Sequence, residues 1–91
     1  MSAKYVLLYE SAADVATNAS VHFPAHKSWL DRFAADGALL MIGPFADPQA
    51  DGAMSIFTTR EAAEAFARDD PFVVNGVVRS WRVLEWNEAL T

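Results

Sequence analysis

ALLMIGPFADPQADGAMSIFT, residues Ala38–Thr58, decides the architecture. Ala38–Ile42 is an unbroken apolar run, too short for a helix, and Gly43-Pro44 punctuates it. Phe45–Gly52 contains Asp47, Pro48 and Asp51 and reads as a turn or loop. Ala53–Thr58 is a second short run that favours a strand. Two strands therefore follow one another with no helix between them.

Outward from this pair the pattern changes period. Upstream, Lys4–Glu10 (KYVLLYE) is a short β-branched and aromatic strand. Ser11–Asn18 is a polar connection, and Pro24 opens a helix, because proline is tolerated at the first helical position. Ala25, Trp29, Leu30 and Phe33 form its apolar stripe, and Gly37 stops it. Downstream, Thr58-Thr59-Arg60-Glu61 matches a capping box with Thr58 as the cap and Glu61 three residues on. The helix that follows groups Ala62, Ala65 and Phe66 on one side. It ends at Asp70, because the residue before Pro71 is pushed out of helical geometry. Phe72–Asn75 is a connector, and Val77–Trp86 (VVRSWRVLEW) is the last strand. The order is β-α-β-β-α-β, an α+β ferredoxin-like arrangement, with residues 1–91 as one domain.

Composition narrows the function. The chain of 91 residues is 53% hydrophobic and 21% charged, which places it among folded domains. Seven Lys+Arg against twelve Asp+Glu give a net charge of −5, so no basic surface invites nucleic acid or an anionic membrane. There is no cysteine, which excludes disulfides, thiolate metal sites and a cysteine nucleophile. No apolar run approaches a membrane span, and the first residues lack a signal-peptide pattern, so a soluble cytoplasmic protein is expected. Ser11, Ser20, Ser28, Ser55 and Ser80 lack a nucleophile motif, and no phosphate-binding or dinucleotide-binding glycine pattern occurs.

Alternation within the strands points to a partner. Tyr5, Leu7 and Tyr9 alternate with Val6 and Leu8; Ala38, Leu40 and Ile42 alternate with Leu39 and Met41. Ala53 and Phe57 alternate with Met54 and Ile56; Val77, Trp81 and Val83 alternate with Val78, Leu84 and Trp86. Both faces of the sheet are therefore apolar, and right-handed crossovers let the helices cover only one. The other face needs a cover, and the expectation is a homodimer with two sheets packed face to face.

Two histidines and two adjacent carboxylates are the chemistry-bearing residues. His22 and His26 do not make a metal site, since Pro24 separates them and two ligands are too few. His26 falls in the first helical turn, where the helix dipole favours a neutral imidazole. It reads either as a general base or as a histidine bonded to backbone at a helix start. Asp69-Asp70-Pro71 reads as helix termination, although two carboxylates at a helix C-terminus oppose the dipole.

The sequence resembles the YciI-like (YCII-related) family from about Lys4 to Trp86. The resemblance rests on Pro24-Ala25-His26, Gly37-Ala38-Leu39-Leu40 and Gly43-Pro44-Phe45. It continues through Glu61-Ala62-Ala63, Phe66-Ala67, Asp70-Pro71-Phe72-Val73 and Gly76-Val77. It implies a dimeric α+β barrel of ferredoxin-like subunits and a His-Asp pair, which falls on His26 and Asp70. Dehydrochlorination of a hydroxylated aromatic is ascribed to a relative. Some members carry arginine where this chain has Phe23, so no anion site is implied there. On this reading Asp70 orients His26, whose second nitrogen moves a proton without metal or cofactor. Gly43, Pro44 and Phe72 line the pocket by resemblance, and Tyr9, Met41 and Phe45 by their place at strand ends. The expected ligand is a small, aromatic or lactone-like molecule. The alternative is a non-catalytic module for small-molecule binding or dimerisation.

Overall fold

The computed structural model describes residues 2–90. Its elements are β1 (Ser2–Ser11), α1 (Val15–Ala35), β2 (Leu39–Pro44), α2 (Pro48–Asp51), β3 (Ala53–Phe57), α3 (Arg60–Asp69), α4 (Pro71–Val74) and β4 (Val78–Glu88). The strands form one antiparallel sheet in the order β2-β3-β1-β4. This is the α+β ferredoxin-like fold, with two short helices added. No helix among the described residues is long and apolar enough to cross a membrane.

The core lies between one sheet face and the helices. Leu7, Tyr9, Leu39, Phe57 and Val78 from the sheet meet Ala63, Phe66 and Ala67 of α3. Trp29, Leu30 and Phe33 of α1 pack against them. Small alanines on α3 let that helix approach closely, and Phe66 sits edge-on to Phe33 with ring centroids 5.2 Å apart. Trp29, partly buried, donates its indole N–H to the Phe66 carbonyl at 3.0 Å.

Several boundaries differ from those expected, each for a local reason. Helix α1 begins at Val15, two turns before Pro24, which lies inside it. Pro24 removes the amide donor that would serve the Ser20 carbonyl, but Ser20 is exposed and water can replace it. Val15, Ala19, His22 and His26 give the early half of the helix an inward face. Its first amide is capped from a distance: Val15 N–H donates to Gln49 Oε1 at 3.0 Å, and Gln49 Nε2 donates to the Ala12 carbonyl at 2.9 Å. The cap of α3 is Thr59, whose hydroxyl accepts from Ala62 N–H at 3.1 Å. Thr58 stays with the sheet, donating its N–H to the Ala38 carbonyl at 3.0 Å, so no capping box forms with Glu61. The segments Phe45–Gly52 and Phe72–Asn75, expected as loop and connector, each contain a helical turn, α2 and part of α4.

Two bulges rearrange the strand faces. Leu39 pairs with Phe57 and Met41 with Ile56, so β2 spends two residues where β3 spends one. Leu39 and Ile42 consequently share the core face, contrary to simple alternation. A second shift at Glu10/Ser11 sets Val78 opposite Ser11 and turns Val78 into the core, with Val77 buried just before the strand. The face away from the helices carries Val6, Leu8, Met41, Met54, Ile56, Leu84 and Trp86. Met41, Leu84 and Trp86 remain 68%, 43% and 45% exposed. Glu10, Ser80 and Arg82 make the end of that face near the β1 bulge polar.

Candidate functional site

The site is built around a carboxylate with no exposure at all. Asp70 is fully buried, at the junction between α3 and α4. The sequence offers it both as a helix end and as the partner of His26, and it does follow the last residue of α3. Its side chain, however, caps the next turn: Oδ1 accepts from Phe72 N–H at 3.0 Å. The same oxygen faces His26 Nδ1 at 2.8 Å, and Tyr9 donates its hydroxyl to Oδ2 at 2.7 Å. Three donors from β1, α1 and the backbone of α4 thus offset the desolvation of one buried carboxylate.

His26 lies in the interior of α1, eleven residues after Val15, so the dipole argument for its protonation state does not apply. Three phenylalanine rings surround its imidazole, one of them stacked on it. Phe72 stacks on it with centroids 3.8 Å apart and planes 5° from parallel, while Phe23 and Phe66 stand at 6.2 and 6.4 Å. Phe72 therefore acts twice: its amide fixes Asp70 and its ring fixes the imidazole plane. With Nδ1 committed to Asp70, Nε2 is the ring nitrogen without a partner among the described residues. The bond to the carboxylate selects the tautomer with hydrogen on Nδ1.

His26 forms part of the wall of a largely apolar cavity of about 280 Å³. Val15, Ala19 and Phe23 of α1 form one side, and Ile42, Gly43 and Pro44 of β2 the other. Tyr9, Ser55, Phe72 and Val77 close it inward, with Ser11, Pro48 and Gly52 at the α2 end. Among the residues expected at the site, Tyr9, Gly43, Pro44 and Phe72 border this cavity together with His26. Asp70 stands behind His26 and does not. Met41 lies on the opposite sheet face, because the β2 bulge reverses its direction. Phe45 follows the end of β2, closes the loop through its N–H to the Gly52 carbonyl at 3.0 Å, and stays outside the cavity. Reading the sequence missed Phe23 as a wall residue, and Val15 and Ala19 with it, because the helix was started too late. Ser55 was missed for lack of a nucleophile motif; the available signal was one polar residue inside the apolar run Ala53–Phe57. His22 is on the same helix as His26, but no group of three His, Asp or Glu side chains suited to a metal occurs among the described residues.

The network perturbs Tyr9 most. Burial, then the Asp70 charge, then the hydrogen bond to it all raise the Tyr9 phenol far above its ordinary ionisation range. A group raised on folding stabilises the fold fully below its unfolded pKa, about 10, and loses that contribution as pH rises above it. Tyr9→Phe is expected to flatten the fall in stability above about pH 10 relative to the native chain. Urea titrations at stepped alkaline pH measure this, and identical slopes for the two proteins would disprove it.

Solved structures resemble the chain along nearly its whole length. The 5-chloro-2-hydroxyhydroquinone dehydrochlorinase TftG from Burkholderia phenoliruptrix AC1100, in complex with 2,5-dihydroxybenzoquinone, superposes with a TM-score of 0.76 at 17% identity. That match covers 94% of this chain and 95% of the other. An antibiotic biosynthesis monooxygenase superposes with a TM-score of 0.55 at 14% identity, covering 96% and 98%. At such identities the likeness establishes the fold alone, the α+β ferredoxin-like arrangement described above. No curated protein matches the chain. The family model for the YCII-related domain matches residues 3–87, from β1 through nearly all of β4, and this chain is a member of that family.

Proposed function

We propose that the protein is a cofactor-independent acid/base catalyst of elimination or isomerisation on a small, uncharged, ring-bearing molecule. The observation that carries this is the division of labour in His26: Nδ1 is bound to a buried carboxylate, and the opposite nitrogen is left for the cavity. In the proposed cycle Nε2 takes a proton from an O–H or C–H of the bound molecule. The resulting imidazolium rests beside Asp70. In elimination the freed electron pair forms the new π bond as the leaving group departs with its bonding pair, a net loss of HX. In isomerisation the proton on Nε2 returns to a different carbon. Similarity to TftG, whose name specifies dehydrochlorination, supports the first of these. The cavity, at about 280 Å³, is at the small end for ligand sites and suits a single ring.

The test is chloride release from 5-chloro-2-hydroxyhydroquinone and deuterium uptake from solvent by unchlorinated ring analogues. His26→Gln is expected to slow the active reaction by at least about 100-fold, the scale of one general acid–base group. Histidine ¹⁵N spectra are expected to show hydrogen on Nδ1. Equal rates for the native chain and the variant would refute the catalytic role. Absence of any turnover in the native chain would favour a binding module.

The same reading includes a homodimer. The exposed apolar row of Met41, Leu84 and Trp86 supports face-to-face packing of two sheets. Sedimentation at micromolar concentration is expected to give twice the chain mass of 10.0 kDa; a monomer there would refute it.

A further inference from the structure

We propose that Ser55 is a second substrate-binding residue of this cavity, selecting a ring that carries two oxygen substituents. This rests on the site described above and adds the second point of attachment. Of the polar side chains in the wall, most are already engaged. Tyr9 donates to Asp70, Ser11 donates its hydroxyl to the Pro48 carbonyl at 2.6 Å, and His26 Nδ1 is bound to Asp70. Two polar atoms remain: His26 Nε2 and Ser55 Oγ.

Ser55 is 4% exposed, on the core face of β3 between Leu7 of β1 and Ile42 of β2. Its hydroxyl makes no hydrogen bond to any described residue. Among those residues every side-chain nitrogen or oxygen sealed from solvent does have a partner. The Ser55 hydroxyl is therefore not sealed; Ser55 borders both this cavity and a shallower one along β2 and β3, and its place on the core face directs the hydroxyl to the cavity that holds His26. Two apolar neighbours would pack equally well against alanine, so packing does not account for a hydroxyl here. A buried hydroxyl without a partner opposes folding, and a ligand oxygen removes that penalty. The wall contains no Lys or Arg, so a carboxylate or phosphate finds no counter-charge. The fitting ligand is an uncharged single ring, with one oxygen or acidic C–H at His26 Nε2 and a hydroxyl or carbonyl at Ser55.

Binding of catechol, resorcinol, hydroquinone and phenol to the native chain, Ser55→Ala and Ser55→Cys tests this by calorimetry or ligand-observed NMR. The three diols vary the spacing between oxygens. The tightest-bound diol is expected to bind about tenfold more weakly to Ser55→Ala, the scale of one neutral hydrogen bond, with phenol unchanged. Ser55→Cys keeps a donor at the same place on a slightly larger side chain and offers a weaker hydrogen bond, so it is expected to weaken the diol too. Equal diol affinity in native chain and variants overturns the proposal, as does failure of every diol to bind the native chain at millimolar concentration. Ser55-dependent binding without turnover upholds it while removing the catalytic reading. Turnover with Ser55-independent binding does the reverse.

Discussion

Asp70→Ala is expected to destabilise the fold by about 4 kcal/mol, the range for breaking one side of a buried ionic network. The substitution strands the Tyr9 hydroxyl, the His26 Nδ1–H and the Phe72 N–H in a site that excludes water, and it uncaps α4. Asp70→Asn separates this structural role from the chemical one. The amide oxygen can still accept from His26 and Phe72, and its NH₂ can donate to Tyr9 if the phenol rotates to accept. The fold is expected to survive with a loss of roughly 1 kcal/mol. The charge that stabilises a protonated His26 is gone, so turnover is expected to fall about as far as in His26→Gln. Urea denaturation of both variants measures the contrast. A loss under about 1 kcal/mol in Asp70→Ala would mean that the three donors find other partners.

Gly52→Ala is the second large effect. Gly52 has φ 77° and ψ −140°, a region nearly closed to residues with a side chain. A Cβ there would stand 1.8 Å from the Tyr9 carbonyl oxygen, a backbone atom of the adjacent strand. Relief requires β1 and β3 to part where Tyr9 pairs with Ala53, beside the Tyr9–Asp70 bond. The expected cost is more than about 3 kcal/mol, from overpacking added to backbone strain. Gly37 is the internal control: it shares φ 77°, yet a Cβ there meets nothing within 4 Å. Gly37→Ala is expected to cost only about 1–2 kcal/mol. Thermal melts of the two variants settle the comparison, and similar melting points would show that the β1–β3 contact yields easily.

The strands were legible because each is a short apolar run bounded by glycine, proline or polar residues, and that punctuation is local. Their faces were less so. The bulges that turn Val78 inward and Met41 outward arise from pairing with β1 and β3, which no single strand encodes. Pro24 misled the reading of α1 because a proline at a helix start and one inside a helix with a solvated carbonyl have the same sequence signature. His26 and Asp70 were visible as residue types, and family resemblance pointed to the pair; their 2.8 Å approach depends on four elements meeting. The role of Tyr9 was half visible: its place at a strand end suggested the pocket, but nothing local revealed the bond to Asp70. Ser55 shows the opposite limit. A motif search looks for groups that react, and a hydroxyl that only holds a ligand has no motif.

The pairing of β1 with β4 has a bearing on synthesis. Ser2–Ser11 lies inside the sheet, and one of its two edges is satisfied only by Val78–Glu88. A ribosome delivers β1 before any other described strand and β4 after all of them. Until then the nascent chain can zip β1 against β3 alone, leaving a row of open amides beside the apolar side chains of Val6 and Leu8. Pairing across such sequence distance is slow compared with helix formation. The interval in which that edge stands open to aggregation is therefore the translation time of everything between the two strands.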